Sequence, residues 1–127
     1  MIFFQLKILV VENNVYDQIL MVEYLKLIEA RITVANNGIE AIEYAKDQSF
    51  DLVLMDLNMP RMNGFETSRK IREIEDKELL PIIAVSGNCI NHEEKISKEI
   101  GLNGFINKPF SAKKLIEEIE KLPKKNV

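Results

Sequence analysis

Five short apolar runs, Ile8–Val11, Ile32–Ala35, Leu52–Met55, Ile82–Val85 and Phe105–Ile106, are spread along the chain with segments of helical period between them. The runs are continuous and do not alternate with polar residues, so a strand made from any of them has to be covered on both faces. Covering both faces requires helices that cross over between parallel strands. The pattern therefore predicts an α/β chain in which a βα unit repeats five times. Domains typically run to ~100–150 residues, and at 127 residues we expect one unit over 1–127, with its core from about Lys7 to Leu122.

The segments between the runs carry specific helical signals. Val15, Ile19, Val22, Leu25 and Ile28 recur at spacings of three and four, which predicts that they form the inward stripe of the first helix. Asn37 precedes "IEAIEYA" and is expected to cap the second helix; Asn63 precedes the third, with Phe65, Ile71 and Ile74 as its inward positions. Asn91 with Glu94 has the spacing of a capping box for a fourth. Ser111 is the expected cap of the last, where Leu115, Ile119 and Leu122 form the stripe and Pro123 the stop.

Charge and special residues exclude several function classes. A net charge of −3 offers no field for a nucleic-acid backbone, so direct nucleic-acid binding is not expected. The opening "MIFFQLKILVV" is interrupted by Gln5 and Lys7 and falls short of the ~18 apolar residues of a spanning helix. An acid and two amides follow it where a signal peptide would place small residues. A cytoplasmic protein with no membrane partner is expected. The single Cys89 and the single His92 permit neither an internal disulfide nor a Cys/His metal cluster.

Polar residues collect at the ends of the strands. Glu12 and Asn13 follow the first run, Asp56 ends the third, Ser86 follows the fourth and Lys108 the fifth. All of them fall at the carboxyl edge of the expected sheet, where open parallel sheets bind ligands. A carboxylate such as Asp56, held at that edge by a rigid strand, can accept a phosphoryl group as an acyl phosphate. That chemistry needs a divalent cation and a fixed positive charge to offset the phosphoryl oxygens. Glu12 is the candidate to hold the cation, Lys108 is the fixed charge, and Ser86 offers a hydroxyl.

Four segments resemble the receiver domain of two-component response regulators: "ILVVENN", "DLVLMDLNMPRMNGFE", "PIIAVSGN" and "GFINKPF", in the family's order, with the similarity running from about Lys7 to Leu122. The resemblance implies a flavodoxin-like (βα)5 fold with a doubly wound parallel sheet of order 2-1-3-4-5. It implies a phosphorylation-dependent signalling switch, and not an enzyme beyond handling its own phosphoryl group. Asp56 would be phosphorylated by a histidine kinase or a histidine phosphotransfer protein. Glu12, Asn13, Asp56 and the backbone carbonyl of Asn58 would surround Mg2+. Lys108, ahead of a cis Pro109, would bind the phosphoryl group, and Ser86 and Phe105 would form the switch pair. An output partner or a second copy would dock on roughly Asn91–Leu122. "NMPRMNGFE" and "PIIAVSGNC" look most like the receiver of a hybrid histidine kinase, while a free-standing protein stays open.

One position departs from the family. Its second acidic residue is usually Asp, and this chain has Asn13. An amide oxygen still ligates Mg2+, but as a neutral dipole beside a hard cation that prefers carboxylates. Weakened Mg2+ binding is expected, and the rival reading is a receiver-like interaction module that is never phosphorylated. Two remoter readings fit less well. Aspartate-nucleophile phosphatases of the haloacid dehalogenase kind place their nucleophile on the first strand with a second Asp two residues on, whereas Asp56 follows the third strand and position 58 is Asn. A flavodoxin would need a loop rich in Gly, Ser and Thr where this chain has "ENNVYD".

Overall fold

The apolar runs become strands because each can be buried from two sides at once. The computed structural model describes residues 5–59, 62–75, 79–87 and 98–123. Its elements are β1 (Lys7–Val11), α1 (Val15–Lys26), β2 (Arg31–Ala35), α2 (Gly38–Asp47), β3 (Leu52–Asp56), α3 (Gly64–Ile74), β4 (Ile82–Ser86), β5 (Gly104–Asn107) and α4 (Ala112–Glu120). The strands form one parallel sheet in the order β2-β1-β3-β4-β5, the flavodoxin-like order that the resemblance implies. The central strands β3 and β4 are buried at every residue, as a sheet sandwiched between helices requires.

Side chains alternate across the sheet and divide the core into two layers. Leu9, Val11, Val53, Met55, Ile82 and Ala84 pack with Ala41 and Ala45 of α2 and Ile71 of α3. Ile8, Val10, Leu52, Leu54, Ile83 and Val85 pack with Met21 and Leu25 of α1 and with Leu115 and Ile119 of α4. Gly64 opens α3 directly against the end of β3. A Cβ there would lie 2.3 Å from the Asp56 carbonyl oxygen and 2.6 Å from Leu57 Cα, so only glycine permits this approach.

Caps fix where the helices begin. Asn37, Asn63 and Ser111 accept the backbone N–H of Glu40, Glu66 and Lys114 at 2.8, 2.9 and 3.1 Å, as the sequence predicts. Asn14 does the same for α1, accepting the Asp17 N–H at 3.0 Å. Phe65, Ile74 and Leu122 pack against the core from the expected helix faces. The Asn91–Glu94 capping box, Cys89 and His92 lie outside the described residues.

The stripe expected for α1 is corrected by the structure. Leu25 and Ile28 face the core as expected, but Val15 is 61% and Ile19 57% exposed, and Met21 and Tyr24 take the inward places at the start of the stripe. The reason is polar. Gln18 donates through Nε2 to the Glu12 carbonyl at 2.6 Å and to Asn36 Oδ1 at 2.8 Å, which turns the positions 18, 21, 25 and 28 toward the sheet. The expected and observed stripes share Leu25 and Ile28 and differ in the first turns, where Gln18 and Met21 replace Val15 and Ile19.

Candidate functional site

Strand register brings the polar residues together. Val11 pairs with Met55, Asp56 with Val85 and Ser86 with Asn107. Glu12, Asp56, Ser86 and Lys108 therefore fall at adjacent strand ends. Backbone bonds carry the ladder one residue past the strands: Leu57 N–H donates to Val85 at 3.0 Å and Lys108 N–H to Ser86 at 2.8 Å. The Lys108–Pro109 peptide is cis. All the sequence-predicted residues except Phe105 thus lie at or beside one edge, although Asn13 and Asn58 are exposed on its rim.

Lys108 is the hub. Its Nζ donates to Glu12 Oε1 at 2.8 Å and to Asp17 Oδ2 at 2.9 Å, and lies 3.7 Å from Asp56 Oδ2. Glu12 is fully buried and its second oxygen accepts the Asn14 N–H at 3.1 Å. Asp56 is 3% exposed, and its Oδ1 accepts the Asn58 N–H at 3.0 Å. The Asn58 side chain in turn donates to the buried Ser86 hydroxyl at 3.0 Å. Phe105 is half-buried, paired with Ala84 across the ladder and packed against the layer beneath α2 and α3.

The charges do not balance. Three carboxylates, Glu12, Asp17 and Asp56, face one ammonium. Burial pushes the Glu12 carboxyl up to about 7; hydrogen bonds from Lys108 and Asn14 pull against that rise, and the neighbouring Asp56 adds to it. Burial works against the Lys108 charge as well, but the hydrogen bonds to Glu12 and Asp17 and the field of Asp56 outweigh it and raise its pKa above the ordinary lysine value. Two buried carboxyls and the half-exposed Asp17 share this single ammonium, so the edge has room to pair with a further cation.

The donor set fits Mg2+. Glu12 and Asp56 supply the hard oxygens that this ion prefers, and the ammonium seated between them shows that both carboxylates turn toward a positive charge. Among the described residues no three His, Cys, Asp or Glu side chains could hold one metal ion together, so side-chain carboxylates alone do not complete the set.

Asp17 and Gln18 are the site residues that sequence reasoning passed over. The available signal was Asn14 as a cap, because an acid three residues after a cap sits in the first turn of a helix, where side chains lean back toward the preceding strand end. Beside them, Leu20, Met21, Pro109 and Phe110 line an open pocket together with Asp17 and Lys108. No helix among the described residues is long and apolar enough to cross a membrane.

Comparison with known proteins adds the family. The model described as response regulator receiver domain matches residues 8–120. The chain is 35% identical over 121 residues to hybrid signal transduction histidine kinase K of Dictyostelium discoideum, a match covering 90% of this chain and 10% of that protein. It is likewise 35% identical to two-component response regulator 24 of Arabidopsis thaliana, over 93% of this chain and 84% of that protein. Among solved structures, the receiver domain of a Pseudomonas aeruginosa sensor histidine kinase, with a magnesium ion coordinated in its active site cleft, superposes with a TM-score of 0.84. That match is at 30% identity and covers 93% of this chain and 97% of the other. The chain spans about a tenth of the Dictyostelium kinase.

Proposed function

The chain belongs to the response regulator receiver domain family of two-component signalling, and from that premise we propose that Asp56 accepts a phosphoryl group from a phosphohistidine on a histidine kinase or histidine phosphotransfer protein. The observation that carries this reading is the division of labour on Asp56. Its Oδ1 is held by the Asn58 N–H at 3.0 Å, while its Oδ2 faces Lys108 at 3.7 Å. One oxygen is fixed and the other is presented to an incoming phosphorus with a cation beside it.

In the transfer, Asp56 Oδ2 attacks phosphorus in line, the P–O bond forms as the P–N bond to the donor imidazole breaks, and the imidazole leaves to take up a proton. Lys108 moves onto a phosphoryl oxygen, and its ammonium stabilises the charge there. Glu12, Asp56, the Asn13 amide and the Asn58 backbone carbonyl would hold Mg2+, which would supply the remaining charge neutralisation, and the neutral Asn13 would weaken its binding. Ser86 gives up the Asn58 amide for a phosphoryl oxygen, and Phe105, in the adjoining strand, turns inward as the switch proceeds.

The exposed Leu20 lines the pocket beside Lys108, and Val15 and Ile19 are exposed on the same helix; this apolar surface suits a phosphodonor protein docking there. The product is a signalling state read through roughly Asn91–Leu122 by an output partner or a second copy. Catalysis extends to the domain's own phosphoryl group alone, and the cytoplasm, where phosphohistidine donors face such domains, is the compartment. A receiver-shaped module that is never phosphorylated is favoured by one observation, the exposed neutral Asn13 in place of a carboxylate.

A small acyl phosphate with Mg2+, followed by intact mass, separates the two. Wild type should gain one phosphoryl mass that mild base removes, and Asp56→Asn should gain none. A wild type that stays unlabelled at saturating Mg2+ would give the case to the silent module.

A further inference from the structure

Asp17 is used by nothing in the reaction described so far, yet its Oδ2 takes one of the two hydrogen bonds of the Lys108 ammonium, at 2.9 Å. Its place is fixed by the first turn of α1: the Asn14 cap accepts its N–H at 3.0 Å, and Gln18, the next residue, ties the same turn to the Glu12 carbonyl at 2.6 Å. The other hydrogen bond of Lys108 goes to Glu12, with Asp56 beyond bonding distance at 3.7 Å. The ammonium therefore sits between two demands. It neutralises the Glu12–Asp56 pair, which is the pair that a divalent cation needs, and it must afterwards reach a phosphoryl group on Asp56.

We propose that Asp17 is a positioning residue for Lys108: it gives the ammonium an anchor outside the Glu12–Asp56 pair, so that a divalent cation can take that pair while the lysine stays within reach of the phosphoryl group. This rests on the reading of Asp56 as phosphoacceptor. Asp17 Oδ2 bonds the Lys108 ammonium itself at 2.9 Å, so its influence runs through the lysine. Without it, Lys108 has only Glu12 and Asp56 to pair with, and an incoming cation has to displace a full positive charge that has nowhere else to go. A carboxylate near the edge also attracts a cation through space whether or not the lysine is there, and the test has to separate the two effects.

The experiment is a double-mutant cycle on Mg2+ affinity, read by calorimetric titration of the unphosphorylated protein with the metal alone. Wild type, Asp17→Asn, Lys108→Met and the double variant are compared, with metal-free circular dichroism as the folding check. Asp17→Asn should weaken Mg2+ by about tenfold in the wild-type background, and by no more than about threefold, the through-space part, where Lys108 is already Met. In acyl-phosphate labelling at saturating Mg2+, Asp17→Asn should still label and do so more slowly, because the metal is in place but the ammonium is less well held. An equal loss of affinity in both backgrounds makes Asp17 a bulk charge and overturns the proposal, as does no loss in either. Should Asp17→Asn unfold, Asp17→Glu serves instead: it keeps the charge with an altered reach, and is expected to give wild-type through-space attraction in the Lys108→Met background and weakened binding in the presence of Lys108. The calorimetric cycle needs no phosphorylation, so a failure of Asp56 to label would leave its outcome readable.

Discussion

The two edges of the sheet each hold a partly buried cation, and they treat it in opposite ways. At the amino edge, among the described residues, Arg72 of α3 donates to fixed oxygens at the strand entries: Nε and Nη2 to the Gly101 carbonyl at 3.2 and 2.9 Å, Nη1 to the Leu80 carbonyl at 2.8 Å, and Nη2 to Asn103 Oδ1 at 2.9 Å. Asn103 Oδ1 also accepts the Ile82 N–H at 3.0 Å. At the carboxyl edge, Lys108 sits among three carboxylates on separate elements. A planar fork on fixed backbone carbonyls has one arrangement, and exchanging its partners means breaking the chain entries to β4 and β5. A point charge on a flexible stem, outnumbered by anions, has several arrangements of similar energy. One edge is built to hold still and the other to exchange partners.

The largest expected effect tests that contrast directly. Arg72→Ala should cost about 3 kcal/mol of stability, the upper end of what losing a part-buried charge-assisted group costs once water re-solvates some of the freed oxygens. Urea unfolding should show the same cost with and without Mg2+. Lys108→Met should cost less, and Mg2+ should restore most of it. If both variants respond to Mg2+ alike, the two edges do not differ in kind.

The second effect concerns pH. Glu12 has its folded-state pKa raised from the ordinary 4.5 to about 7, so between those values the folded protein binds more protons than the unfolded chain. Its contribution to stability is fully present below about 4.5 and is lost as the pH rises through about 7. Metal-free wild type should therefore lose stability relative to Glu12→Gln as the pH is raised across that window, measured by thermal unfolding at a series of pH values. Mg2+ requires the ionised carboxylate, so adding it should flatten or reverse the trend. A parallel pH dependence in both proteins would place the proton elsewhere.

The smallest of the three sharpens the charge count. Asn13→Asp should tighten Mg2+ about tenfold, corresponding to ~1.4 kcal/mol, and should lower metal-free stability by adding a further carboxylate to an edge that already has a surplus. Thermal unfolding over a Mg2+ titration reads both. Equal apparent affinities would show that Asn13 is not a ligand.

How far the sequence reached follows the same division between edges. The strands were legible because runs such as Leu52–Met55 and Ile82–Val85 admit one burial pattern. Glu12, Asp56, Ser86 and Lys108 were legible because each stands at or just after the end of such a run, and parallel register carries strand ends to one edge. The strand order came from the family resemblance and not from the runs themselves. For Asp17 the cap at Asn14 signals its place in the first turn but not its partner Lys108, and Arg72 is defined by Leu80, Gly101 and Asn103, which no local pattern joins to it. The rotation of α1 was misread for a related cause. Val15 and Ile19 reach Leu25 by helical spacing as well as Gln18 and Met21 do, and the hydrogen bonds of Gln18 to Glu12 and Asn36 favour the second path.

The most direct measurement of the exchange at the carboxyl edge is reductive trapping of the labelled protein. Borohydride converts a phosphorylated aspartate to homoserine, and peptide mapping then reads its position. After incubation with a small acyl phosphate and Mg2+, homoserine should appear at position 56 and nowhere else. Trapping at Asp17 or another acidic residue, with Asp56 intact, would contradict the assignment of Asp56 as the residue that Lys108 and the surrounding carboxylates are arranged to serve.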